Sequence, residues 1–402
     1  MNLAANQNKV STRIQSVDIM RGAIMIIMAL DHVRDFFHIT AFSADPLDPK
    51  TTTAALFFTR WITHFCAPSF MLLSGISAYL SGQKQTLGGK SAFLVKRGIW
   101  LIFVEVAIMT FILSFDPSYN VIFLNVIWAL GCSMIFLGIF IRIFPPKAIL
   151  GIGLVLIFGH NLFDFIKLVP NSTVDILANV FFTAAGKFYP RGDGGSVAVL
   201  YVILPWTGIM LVGYGIGMLY HTDVAAEQRQ AILLRAGIAA TALFVVLRLI
   251  NLYGDPVPWT AQENYLRSVF SFLNASKYPP SLLFSLMTVG PVLILLSLMD
   301  EWKSRFSDFL RVYGKVPFFY FVIHFALVHF FSAIAVLASG RYTWDQATSP
   351  DLFFKFRPFD FGYQLGWVYL IWVAIVAMLY MPSKWFTAFK GRHKKWKWLS
   401  YL

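Results

Sequence analysis

Long apolar runs alternate with short polar connections along the chain, and the runs have the length of a bilayer crossing. A helix rising about 1.5 Å per residue needs about 20 mainly apolar residues to span the hydrocarbon core. Such segments occur at Val17–His38, Ala55–Ser81, Ala92–Phe115, Val121–Phe144, Ala148–Ile166, Val197–Tyr220, Ala231–Tyr253, Ser281–Met299, Val316–Ser339 and Tyr363–Met381. The pattern predicts an all-α polytopic transmembrane bundle of about ten helices, with residues 1–402 forming a single integral-membrane domain. Two connections are long, Lys167–Ser196 and Gly254–Pro280. Long ordered loops tend to carry function. The sequence has no evident internal repeat and no matched pair of broken helices of the kind inverted-repeat transporters show.

Composition agrees. Hydrophobic residues make up 57% of the chain and charged residues 13%, against about a quarter charged in a soluble domain. The formal charge of +13 is distributed unevenly. With Met1 inside, about 21 of the 33 Lys and Arg fall on the cytoplasmic side and about 12 outside, so both termini are expected in the cytoplasm. The tail residues Lys390, Arg392, Lys394, Lys395 and Lys397, beside Trp396 and Trp398, read as an anchor to anionic lipids. Basic residues near the membrane argue against nucleic-acid binding. The polar first sixteen residues give no sign of a cleavable signal. Cys66 and Cys132 lie mid-segment in different runs and are expected to be free thiols. The two glycosylation-type tripeptides, at Asn171 and Asn274, are too short to carry weight.

Ionisable groups at membrane depth are costly, which makes them functional candidates. The first segment is the richest in them. Helical geometry puts Asp18, Arg21, Gly22, Met25, Ala29, His32 and Asp35 on one stripe, with Arg21 and His32 about 16 Å apart along the axis. Asp31 cannot face its neighbour His32, whereas Asp35 at i+3 can. Asp35 is therefore the local candidate to orient the imidazole as a base. Asp18 with Arg21 reads either as a ligand site or as a helix-start ion pair. The second segment adds Arg60 and His64 one turn apart, with Pro68 expected to break the helix ladder and free a carbonyl. Glu105 is expected to pair with an arginine of a neighbouring helix. Tyr320 and His324 stack at i and i+4, and His160 and His329 read as structural. His38 is turned about 120° from His32, so His32, Asp35 and His38 cannot close on one metal, and no metal site is expected.

The run Arg13-Ile14-Gln15-Ser16-Val17-Asp18-Ile19-Met20-Arg21-Gly22 resembles the opening signature of the heparan-alpha-glucosaminide N-acetyltransferase-like family of bacterial membrane proteins. Leu30 through His38, Ala67 through Gly75, Lys277-Tyr278-Pro279-Pro280-Ser281-Leu282 and the closing Trp398-Leu399-Ser400-Tyr401-Leu402 are similar to further motifs of that family. Acyltransferase-3 proteins, in the same wider group, also place a functional histidine eleven residues after an early Arg-Gly, which here is His32.

The resemblance implies a multi-pass protein of the bacterial inner membrane, in contact with membrane lipids. It implies transfer of an acetyl group from cytoplasmic acetyl-CoA to a carbohydrate-like acceptor on the outer face. The coenzyme A thioester would bind near Asp18, Arg21 and Gly22 and the basic run Lys84, Lys90, Lys96 and Arg97, with its arm along the Met25–Ala29 stripe. His32, oriented by Asp35, would be the base or the acetyl carrier, with His64 and His324 as further candidates. Arg60, Tyr320 or a donor near Pro68 would stabilise the oxyanion. A homo-oligomer is a further expected partner state. The competing reading is a secondary transporter of an anionic metabolite or glycan lipid, in which the same charges act as proton relays and counter-ions.

Overall fold

The computed structural model describes residues 14–83, 85–166, 168–170, 172–183, 186–393, 395–396 and 399. Arg13, Lys84, Asn171, Lys394, Lys397, Trp398 and the closing Ser400-Tyr401-Leu402, named above, lie outside the described residues. The principal helices are α1 (Gln15–Phe37), α2 (Ala54–Thr63), α3 (Cys66–Ser81), α4 (Leu87–Ser114), α5 (Val126–Ile143), α6 (Pro146–Phe165), α7 (Leu204–Tyr220), α8 (Ala226–Ile250), α9 (Tyr265–Leu273), α10 (Leu282–Leu298), α11 (Arg305–Gly314), α12 (Pro317–Ala338) and α13 (Leu365–Arg392).

Six of these, α4, α5, α6, α8, α12 and α13, are long and apolar enough to cross a membrane. The other predicted spans differ for physical reasons. At 23 residues α1 is long enough, but it carries Asp18, Arg21, Asp31, Arg34 and Asp35. Helices α7 and α10 are apolar but short. The run Ala55–Ser81 is two helices, α2 and α3, separated at His64 and Phe65. Pro68 therefore sits in the first turn of α3, where a missing N–H opens no gap in the ladder. This corrects the expectation of a carbonyl freed in mid-helix.

Two runs begin as strands instead of helix. β1 (Val121–Leu124) pairs in parallel with β3 (Ser196–Val199), and β2 (Lys187–Pro190) pairs antiparallel with β3, giving the order β1-β3-β2. The sheet precedes α5 and α7. Glu105 lies in a π-helical turn of α4, Val104–Met109. Its carboxylate accepts from the backbone N–H of Trp128 at 3.0 Å, in the first turn of α5. Glu105 thus satisfies the donors of a helix N-terminus, where the dipole favours a carboxylate, and this replaces the expected arginine partner.

Helix α1 runs through the centre of the bundle. Ile19, Met20, Ile24, Met25, Ala29, Val33 and Phe36 are all buried, and α3, α11, α12 and α13 surround it. The α11 crossing leaves no room for a side chain at Gly22, where a β-carbon would collide with the Leu310 carbonyl, or at Gly314, where it would meet that of Asp18. Gly22, expected on the donor path, lies at this crossing. The α4–α5 pair closes in the same way, since a β-carbon on Gly131 would lie 2.7 Å from the Gly98 carbonyl oxygen. Small residues at crossings let backbones approach where the apolar surroundings provide little driving force.

Candidate active site

Parallel packing of α1 and α12 brings His32 and His324 together. His32 Nδ1 and His324 Nε2 are 2.7 Å apart, and the other ring nitrogen of His324, Nδ1, lies 3.0 Å from the Tyr320 carbonyl. A carbonyl only accepts, so His324 Nδ1 carries the hydrogen. In a neutral His324, Nε2 is then the acceptor, and the hydrogen between the rings belongs to His32 Nδ1. This leaves the lone pair of His32 on Nε2. His32 is half-buried while His324 is fully buried. Phe325 lies against the His32 ring, with centroids 3.8 Å apart.

The expected orienting group of His32 is thus corrected. Asp35 accepts instead from Arg34 at 2.6 Å, and histidine 324 fills the role. Asp31, which points away from His32, is the hub of an ion network. It accepts from Arg60 at 2.6 and 2.8 Å and from Arg34 at 3.0 Å. Buried charges of this kind persist when each is paired and hydrogen-bonded. Arg60 also donates to Thr63 Oγ1 at 3.2 Å.

His64 caps the C-terminus of α2 and is buried, with Phe284 beside it at 5.3 Å between centroids. Neither of its ring nitrogens has a hydrogen-bond partner among the described residues. The Tyr320 hydroxyl is likewise buried without a partner, and its ring stacks on His324 at 5.3 Å. Buried polar groups are rarely left unsatisfied. These two residues therefore mark where a polar group of a ligand or a water would be held.

The opposite end of α1 holds a second, separate group. Arg21 donates to Asp18 at 3.3 Å and bonds Ser77 Oγ on α3. Lys90 donates to the Tyr214 hydroxyl at 2.8 Å, against the rings of Tyr79 and Tyr214. Lys96 is exposed and Arg97 half-buried further along α4. The predicted residues therefore divide between two ends of the bundle, as the stripe on α1 implied. Among the described residues no group of three or more His, Cys, Asp and Glu is arranged to hold a metal.

The sequence reading did not place Lys277, Tyr278 or Tyr201 in the site. Lys277 lies close enough to Asp31, His32, Asp35 and His64 to act on each electrostatically. Its position in the run Lys277-Tyr278-Pro279-Pro280 was the available signal, a cation in a long loop beside a rigid turn.

No curated protein matches the chain. The family model described as heparan-alpha-glucosaminide N-acetyltransferase, catalytic, matches residues 13–248. That stretch is more than half of the 402 residues and includes Arg21, His32, Arg60 and His64, while Lys277 and His324 lie beyond it. The match spans α1 through nearly all of α8, and on that basis the chain belongs to the heparan-alpha-glucosaminide N-acetyltransferase catalytic family, a family of membrane acetyltransferases.

Proposed function

We propose that this protein moves an acetyl group from acetyl-CoA, bound from the cytoplasm, to a hydroxyl or amine of a carbohydrate-like acceptor on the outer side of the bacterial inner membrane. The observation that carries this reading is the His32–His324 pair, which leaves His32 Nε2 as an oriented base on a half-buried residue. Histidines positioned in this way serve general-base chemistry.

In this reading His32 Nε2 takes the proton of the acceptor hydroxyl or amine as its oxygen or nitrogen attacks the thioester carbonyl. The new bond forms, the C–S bond breaks, and the proton on His32 passes to the departing thiolate, giving coenzyme A thiol. His324 keeps His32 in the productive tautomer by accepting its Nδ1–H. The developing oxyanion is stabilised from the cationic side of the site, where Arg60 and the Tyr320 hydroxyl are the donors at hand. Coenzyme A phosphates are placed at the Arg21 and Lys90 end, with Asp18, Lys96 and Arg97 nearby in the sequence, so only the acyl group crosses.

The test is transfer of label from radiolabelled acetyl-CoA to an envelope glycan extract by the purified protein, with His32→Ala alongside. Labelled glycan, lost in the variant, supports the reading. Transport of an anionic solute without consumption of acetyl-CoA would replace it with the transporter reading.

A further inference from the structure

The charges around the histidine pair do not cancel. Arg34 and Arg60 are matched by Asp31 and Asp35. Lys277 adds a third cation, only 9% exposed, with no carboxylate within ion-pair distance among the described residues. Arg357, also buried near Asp35, donates to the carbonyls of Asp35, His38, Pro358 and Phe361 and adds no negative charge. A buried ammonium without a counter-ion is unfavourable, and the Tyr278 hydroxyl that bonds Lys277, with the rings beside it, offsets only part of that penalty. Lys277 Nζ lies 5.1 Å from the Tyr278 ring centroid and 6.0 Å from that of Tyr201.

The lysine is held there by construction. Arg248 donates to the carbonyls of Val257, Ser271, Phe272 and Asn274. Asp255 accepts from the N–H and hydroxyl of Ser276 at 2.8 and 2.9 Å and from the Ser281 hydroxyl at 2.7 Å. Backbone on both sides of Lys277 is thereby fixed. Beyond its two tyrosines, Tyr201 meets Trp206, Trp206 meets Phe284, and Phe284 meets His64. The Trp206 indole N–H and both His64 nitrogens are buried donors or acceptors without partners among the described residues.

We infer that Lys277 docks an acidic substituent of the acceptor, so that the acceptor is a sugar bearing a carboxylate or phosphate besides the group that is acylated. The half-buried ring of Tyr278 suits the apolar face of a sugar ring, and the unpartnered His64 and Trp206 nitrogens suit its hydroxyls. The identification of the ligand as an acceptor rests on the acetyltransferase reading, whereas the anionic preference rests on the charge surplus alone.

The experiment measures binding to the purified full-length protein without acetyl-CoA. The probes are glucuronate and glucose 6-phosphate, set against methyl glucoside and glucose as their neutral counterparts. Wild type is expected to favour at least one acidic probe by about tenfold or more, and the pair that shows it tells carboxylate from phosphate. Lys277→Met, which keeps the apolar stem, is expected to lose that preference, and Lys277→Arg to keep most of it. Equal binding of acidic and neutral probes by wild type, or a preference unchanged in Lys277→Met, overturns the inference. So does a Lys277→Met variant that binds all probes normally yet slows transfer to acidic and neutral acceptors alike, since that places the lysine on the reaction itself. Absence of acetyl transfer with the acidic preference intact counts against the acetyltransferase reading only.

Discussion

Two histidines of α12 face α1, and their surroundings differ. His324 forms a chain in which each hydrogen has one acceptor, running from His32 through its own ring to the Tyr320 carbonyl, and the chain ends in an open nitrogen on His32. His329, five residues on, reaches the Ile112 carbonyl at 2.8 Å with Nδ1 and the Lys355 carbonyl at 2.6 Å with Nε2. Its ring also stacks on Phe115 at 3.7 Å. Both of its nitrogens are turned to backbone carbonyls, so it joins the end of α4 to the loop before α13 and leaves neither nitrogen open to a substrate. Depth and sequence spacing are similar for the two residues. The number of ring nitrogens left free separates them.

That contrast can be broken at either end. The largest effect is expected for His32→Ala, with kcat for acetyl transfer falling by about 10²- to 10⁴-fold while the thermal midpoint hardly moves. A folded His32→Ala protein with wild-type turnover would remove the histidine pair from the chemistry. His324→Ala is expected to lower kcat by roughly tenfold or more with little change in KM, because the base loses its orienting acceptor. Gln at the same position offers an amide oxygen to the His32 N–H and should recover part of the loss. His329→Ala is expected to reverse the pattern. It leaves a carbonyl without its donor, at about 1–3 kcal/mol, so denaturation moves to lower temperature while turnover per folded molecule is kept. Phe115→Leu removes only the stacked ring and should lower stability by about 0.5–1.5 kcal/mol, again without effect on transfer. A turnover defect in either of the last two variants would join the two histidines into one functional unit.

The sequence made some of this legible through helical periodicity. The stripe on α1 separates Arg21 from His32, and the structure keeps them at opposite ends of the bundle. Arg60 and His324 were chosen as charged or basic residues at membrane depth, and both come to the group around His32. Partner choice was not legible in the same way. Asp35 satisfies the i+3 rule for His32, but the neighbouring Arg34 bonds it, and no spacing within one helix announces a histidine 292 residues away. Glu105 and Pro68 failed for a related reason, since the first serves the start of a neighbouring helix and the second sits at the start of its own. Lys277 was hidden because loops lack periodicity, and only the charge balance of the folded site singles it out.

The segment from Gly254 to Pro280 is folded largely from within, by Arg248 at its root and Asp255 near its start. It touches the loop between α1 and α2 at a few points, where Arg267 donates to the Pro49 and Lys50 carbonyls and Asn274 to that of Leu47. A segment with its own internal scaffold can vary while the helices beneath it stay the same. In evolutionary terms it is an exchangeable cassette, through which a lineage could change the molecule it modifies and still inherit the histidine pair intact.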